Sequence, residues 1–179
     1  MLGTLRGLDV TVVGREVLEA RAPKHEIVRR IGARYVSTLA VPLLELPRRF
    51  GAVDLIVEAT GHPQVALDAA QILGRNGVLC LLGIPGGDDI ALLPAARLIR
   101  GLVLSNQVVP GSVNASRRYF ELGIQHLGEF ERRWPGLLPR LITRRLPLED
   151  FREALESRHE PIKVVLEVGS REEVGEQPS

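Results

Sequence analysis

Lysine is almost missing from this chain of 179 residues: Lys24 and Lys163 are the only two, and arginine supplies the rest of the positive charge. Cysteine is scarcer still. The single Cys80 excludes an internal disulfide. Aromatic residues make up 4% of the chain, too few for a base-stacking surface. The formal net charge of +1 provides no basic field for nucleic acid or an anionic membrane. No apolar run approaches the length needed to span a bilayer, and the first residues, Met1 to Gly7, form no hydrophobic signal segment. These absences point to a cytoplasmic chain that binds neither nucleic acid nor membrane. What is present is ordinary: 45% hydrophobic residues, in a length sufficient for one good core or one domain with a small appendage.

The apolar residues fall into short runs separated by helical stretches. Leu8 to Val13 is rich in β-branched residues and ends at Gly14, as a buried strand would. Pro23 to Ile31 reads as a helix, with proline in its first turn and Gly32 as its stop. Arg34 to Ser37 is a short strand, and Leu39 to Phe50, with two prolines, is a loop or broken helix. Asp54 to Glu58 predicts a second buried strand. A helix follows over His62 to Leu73, with Gly74 just beyond it, and then a third strand over Gly77 to Ile84. Pro85 to Asp89 is a turn, and Leu102 to Val109 reads as a fourth extended run. Helical periodicity covers Asn114 to about Trp134. A short amphipathic helix spans Leu148 to Ser157, and a last strand runs from Lys163 to Val168. Continuous apolar strands alternating with helices predict a parallel sheet covered on both faces. The polar tail after Gly169 is expected to be disordered.

A dinucleotide-binding sheet of this kind carries G-x-G-x-x-G between its first strand and first helix. Neither that motif nor a phosphate-binding P-loop occurs here. Leu2 to Arg6 looks instead like the last turn of a helix, so the chain is expected to start inside the helix that follows such a loop. His25, His62, His126 and His159 form no ligand pair, and Cys80 lies among apolar residues as a small hydrophobe would. Tyr35 and Tyr119 have no lysine four positions on, which removes the Tyr–Lys pair of short-chain reductases.

Three short segments could touch a ligand. The first strand runs into Gly14-Arg15-Glu16. Arg15 could pair its planar guanidinium with a phosphate, or it could be a solvated surface residue. Ala59-Thr60-Gly61 closes another strand with small residues that let a ligand approach the backbone, or that simply turn the chain. Leu82-Gly83-Ile84 has the same two readings.

Taken in order, VVGRE, DLIVEATG, GRNGVLCLLGIPGG, VVPGSVNASRRYF, LITRRLPLEDFREALE and PIKVVLEV resemble the C-terminal half of the zinc-dependent medium-chain dehydrogenases, glucose dehydrogenase type. The resemblance covers residues 5 to 168, and its most specific pieces are EATG before GRNGVLCLLGI, and GSVNASRRYF. It implies an α/β fold, an incomplete doubly wound parallel Rossmann sheet lacking its first strand and its glycine-rich loop. Its divisions would be a truncated Rossmann domain over 1–145, a helix and strand over 146–168, and a tail over 169–179.

In that family a sugar or alcohol hydroxyl is oxidised by hydride transfer to NADP or NAD. A zinc ion held by the N-terminal catalytic half polarises the substrate oxygen. The resemblance supplies no zinc ligands and no catalytic residue in this chain. It places Gly14 and Arg15 at the NADP-selecting run after the second strand. Glu16 stands where a second arginine is common, which leaves NADP and NAD both open. Thr60 and Gly61 match the turn that lines the cofactor. Leu82 and Ile84 match residues beside the nicotinamide, as does Val113, and Asn114 matches an asparagine at the nicotinamide and sugar. Lys163 matches a basic residue that reaches the cofactor phosphates. Pro110 replaces an expected β-branched residue and removes a strand donor.

Removal of the central first strand of a 3-2-1-4-5-6 sheet separates strands two and three from the rest. Exposed edges then favour self-association, or pairing with a full-length paralogue, unless Leu8 to Val13 re-pairs beside Asp54 to Glu58. The resemblance makes the chain part of an NAD(P)-dependent oxidoreductase that is not expected to turn over alone. The competing reading is a non-catalytic binding module or pseudoenzyme.

Overall fold

The computed structural model describes residues 1–17, 23–88, 90–91, 93–156 and 162–169. In chain order its elements are α1 (Leu2–Leu5), β1 (Thr11–Gly14), α2 (Pro23–Arg30), β2 (Arg34–Ser37), α3 (Leu46–Phe50), β3 (Val53–Glu58), α4 (Pro63–Ile72), β4 (Leu73–Leu81), α5 (Ala95–Leu104), α6 (Arg117–Arg133), β5 (Ile142–Pro147), α7 (Phe151–Glu156) and β6 (Lys163–Glu167). The strands join as three pairs, β1 with β2, β3 with β4, and β5 with β6. The last two pairs are parallel, as the crossover helices α4 and α7 require. The chain divides into two compact units. One comprises Met1–Val13, Leu18–Tyr35 and Arg118–Ser179, and the other Gly14–Val17 and Val36–Arg117.

The first unit is centred on Ile27, Ile31 and Leu137, with Met1, Ala33, Trp134, Leu141 and Ile162 around them. Ile27 and Ile31 are four residues apart, so they stack on one face of α2. That helix ends in a glycine-based reversal. Gly32 takes φ +75°, its N–H donates to Arg29, and the Ala33 N–H donates to Val28. This is the paired bonding of a Schellman cap. On α6, His126 is buried, and its Nε2 lies 3.1 Å from a guanidinium nitrogen of Arg6. Both tyrosines, Tyr35 and Tyr119, and the single tryptophan, Trp134, belong to this unit.

The second unit is built on a parallel βαβ unit, β3–α4–β4, extended by α5 and the segment that follows it. His62 precedes α4 and Pro63 opens it, where proline's missing N–H costs no helical bond. Ala69, Ala70, Leu73 and Leu79 form one core cluster, and Val36, Val41, Leu46 and Ile72 form a second. Ile56 packs against both, so one face of β3 carries the core.

Several expectations are corrected here. Leu102–Leu104 are helical, the last turn of α5, and only the chain beyond them is extended. Leu98 and Leu102 sit four apart on the less exposed side of α5, a helical period hidden inside an apolar run. β3 is not buried on both faces: Leu55 and Val57 are 52% and 58% exposed, because α4 covers only the face of Ile56. The strand expected over Gly77 to Ile84 starts earlier, at Leu73, and stops at Leu81. The helix expected from Asn114 begins at Arg117, and the strand β5 within LITRRLP had not been anticipated. Asp89, Ser157, His159 and the tail beyond Gly169 lie outside the described residues.

Candidate functional site

Ligands of parallel α/β sheets sit in the crevice beyond the carboxyl ends of the strands, where several turns meet. In the second unit three such ends come together, those of β3, β4 and the extended run 108–112.

The end of β3 is organised by Glu58. This residue is only 4% exposed, although it closes an apolar strand. Its Oε1 accepts the Thr60 N–H at 2.6 Å and the Thr60 hydroxyl at 2.5 Å. The Thr60 Oγ1 in turn accepts the His62 N–H at 3.1 Å. The Thr60 hydroxyl hydrogen is therefore directed into the protein. The Glu58 main-chain oxygen accepts the N–H groups of Leu82 and Gly83, at 2.8 and 3.1 Å. One residue thus ties the end of β3 to the end of β4.

The two turns meet through glycines. A Cβ on Gly83 would lie 2.7 Å from the Gly61 Cα and 2.9 Å from the Glu58 Oε2. A Cβ on Gly61, whose φ is +69°, would lie 2.6 Å from the Ile84 carbonyl oxygen. Only backbone fits between these turns. Leu82 and Ile84 flank that contact, and both are exposed.

The third end is laid beside β4 by four rungs. Val108 donates to the Gly77 carbonyl, Leu79 to Val108, Leu81 to Pro110, and Ser112 to Leu81, all at 2.9–3.0 Å. The regular sequence of rungs would include a donor at position 110 facing the Leu79 carbonyl. Pro110 has no N–H, so that rung is missing, and the run remains isolated bridges, Val78 with Val108 and Leu81 with Gly111. Val113 and Asn114 follow at once, both exposed beside the end of β4.

Gly14 and Arg15 belong to the same unit. The Arg15 main-chain oxygen accepts the Ser37 hydroxyl at 3.3 Å, and its side chain is exposed. Lys163 begins β6 in the other unit, where its main-chain N–H and C=O both bond the Thr143 hydroxyl. The second unit therefore holds eight of the nine residues singled out in the sequence; among them Gly61 and Ile84 touch, and Thr60 and Leu82 are both bonded to Glu58. Gly83 is read in the sequence as a ligand approach or a turn, whereas Glu58 carries no site reading there. The available signal was an acidic residue closing the run DLIV, a position that burial permits only with partners.

The chain is similar to known proteins along most of its length. The family model described as glucose dehydrogenase C-terminus matches residues 1–168. Glucose 1-dehydrogenase 1 of Caldivirga maquilingensis is 39% identical over 170 residues, which is 94% of this chain and 46% of that protein. Glucose 1-dehydrogenase of Methanocella arvoryzae is 35% identical over 167 residues, 92% of this chain and 45% of that protein. The chain thus spans rather less than half the length of the curated relatives it matches. Among solved structures, the glucose dehydrogenase of Haloferax mediterranei in complex with NADP, zinc and gluconolactone superposes with a TM-score of 0.80 at 29% identity. The match covers 94% of this chain and 47% of that one. The fold is accordingly that of the Rossmann-type part of these dehydrogenases, and the chain belongs to the glucose dehydrogenase C-terminus family.

Proposed function

We propose that this chain is the cofactor-binding C-terminal part of an NAD(P)-dependent glucose-type dehydrogenase, acting on a sugar or alcohol hydroxyl. The observation that carries the reading is the rim where the ends of β3, β4 and residues 108–112 converge, in a chain whose residues 1–168 match that family. A bound nicotinamide would supply the hydride acceptor. The side chains of Leu82, Ile84 and Val113 offer an exposed apolar border against which a flat ring can rest and from which water is displaced. Asn114 adds a carboxamide beside that border for a ring amide or a sugar hydroxyl. Arg15, in the same unit as the rim, is suited to a ribose phosphate.

The fit is partial. The contact between Gly61 and Gly83 leaves room for backbone alone, so it shapes the rim without itself enclosing a ligand. No glycine-rich phosphate loop occurs in the sequence. Among the described residues no three His, Cys, Asp or Glu side chains converge to hold a metal ion, so no step is assigned through zinc. The open edge of β3 favours association with a second copy or with a full-length paralogue. No described helix is long and apolar enough to cross a membrane.

Isothermal titration of the chain with NADP and with NAD tests the reading. The missing glycine-rich loop by itself predicts that the chain binds neither cofactor; the rim predicts the opposite, saturable submillimolar binding, and that is the result expected here. Absence of binding to both at millimolar concentration would favour the non-catalytic module instead.

A further inference from the structure

We propose that Glu58 is a positioning residue that holds the Thr60–Gly61 turn in its ligand-facing shape, and that the Thr60 hydroxyl serves this clamp and does not donate to the cofactor. The inference rests on the reading of this rim as a cofactor site.

A carboxylate 4% exposed at the end of a strand needs partners within the protein. Both described partners of the Glu58 carboxylate come from one residue, the N–H and the hydroxyl of Thr60. A carboxylate that only filled core space would have no reason to fold its own following turn around itself. The hydroxyl then relays the constraint, because its oxygen accepts the His62 N–H at the start of α4. Carboxylate, hydroxyl and amide thus form a short chain that determines where the backbone of residues 60–62 runs. The other end of the same residue grips the facing turn through the Leu82 and Gly83 N–H groups. The close contact of Gly61 with Gly83 and Ile84 tolerates little displacement. A loose Thr60 turn would therefore shift Ile84 and the apolar border with it.

The consequence for recognition is specific. Thr60 has one hydroxyl hydrogen, and Glu58 takes it. The turn can then offer a ligand its methyl group, a hydroxyl lone pair and main-chain carbonyls, and no side-chain donor.

Residue-resolved hydrogen exchange on the full chain, with E58A and E58Q and with Leu79 as the core reference, tests the proposal. Glutamine keeps an accepting oxygen at the Oε1 position, whereas alanine removes it. The E58A variant is expected to exchange the Thr60 and His62 amides at least tenfold faster, in excess of any change at Leu79. E58Q should stay within about threefold of the parent, and NADP affinity should follow the same order, weakened about tenfold and at most threefold. The proposal is overturned if E58A raises exchange uniformly through the unit, if Thr60 and His62 are unchanged, or if E58Q is as damaging as E58A. Failure of the parent chain to bind NADP would remove the cofactor reading, while the exchange pattern would still decide whether Glu58 holds the turn.

Discussion

Gly61 and Gly83 stand back to back, so close that neither turn has space for a β-carbon at that point. Alanine at position 83 would overlap the Gly61 main chain, which cannot swing aside as the end of a side chain can. Alanine at 61 would meet the Ile84 carbonyl and would also occupy a left-handed conformation. G61A and G83A are each expected to destabilise the chain by about 3 kcal/mol, the scale of backbone overpacking and strain. Urea denaturation would measure this, and a loss below about 0.5 kcal/mol would show that the two turns separate readily.

The missing rung at Pro110 can be restored. P110V supplies the N–H that faces the Leu79 carbonyl. The hydrogen bond should contribute about 1 kcal/mol, against about 0.5–1 kcal/mol for the chain entropy that proline had already removed. The net change in stability is small. Local protection is the better readout, and the Val108 and Ser112 amides should exchange more slowly in the variant. Unchanged exchange would mean that the run is not limited by that rung.

Leu55 and Val57 face outward on β3. If that open strand drives association, L55K and V57K should each shift the chain toward monomer in sedimentation velocity at tens of micromolar, since a lysine on a strand edge blocks pairing. A parent chain that sediments as a single monomer at that concentration contradicts the expectation.

Arg15 makes its own test of cofactor choice. Loss of a charge-assisted contact to a ribose phosphate costs roughly 1.5–3 kcal/mol. R15A should therefore weaken NADP at least about tenfold and leave NAD within about twofold. Equal loss for both cofactors would place Arg15 outside phosphate recognition.

Elements whose local preferences agree with their packing were legible in the sequence. Arg34–Ser37 was bounded correctly by turn residues, α2 by Pro23 and Gly32, and α4 by Pro63. The failures have a common cause. Leu102–Leu104 is apolar in succession, and an apolar triplet has no period, so only its register with Leu98 shows the helix. β5 contains two arginines and ends in proline, which masked a strand whose pairing with β6 decides its state. The site divided in the same way. The glycine turns were readable as turns, whereas the role of Glu58 depends on a buried geometry that letters alone do not carry.

The distribution of aromatic residues has a practical result. Trp134, Tyr35 and Tyr119 all reside in the first unit, while the rim lies in the second, which contains the single cysteine, Cys80. Tryptophan and tyrosine fluorescence therefore watches the half of the chain without the rim. An unfolding curve from tryptophan emission describes the surroundings of Ile27, Ile31 and Leu137, and thiol reactivity at Cys80 describes the parallel β3–β4 pair. The two curves recorded on one sample measure whether the halves melt together, with no label introduced.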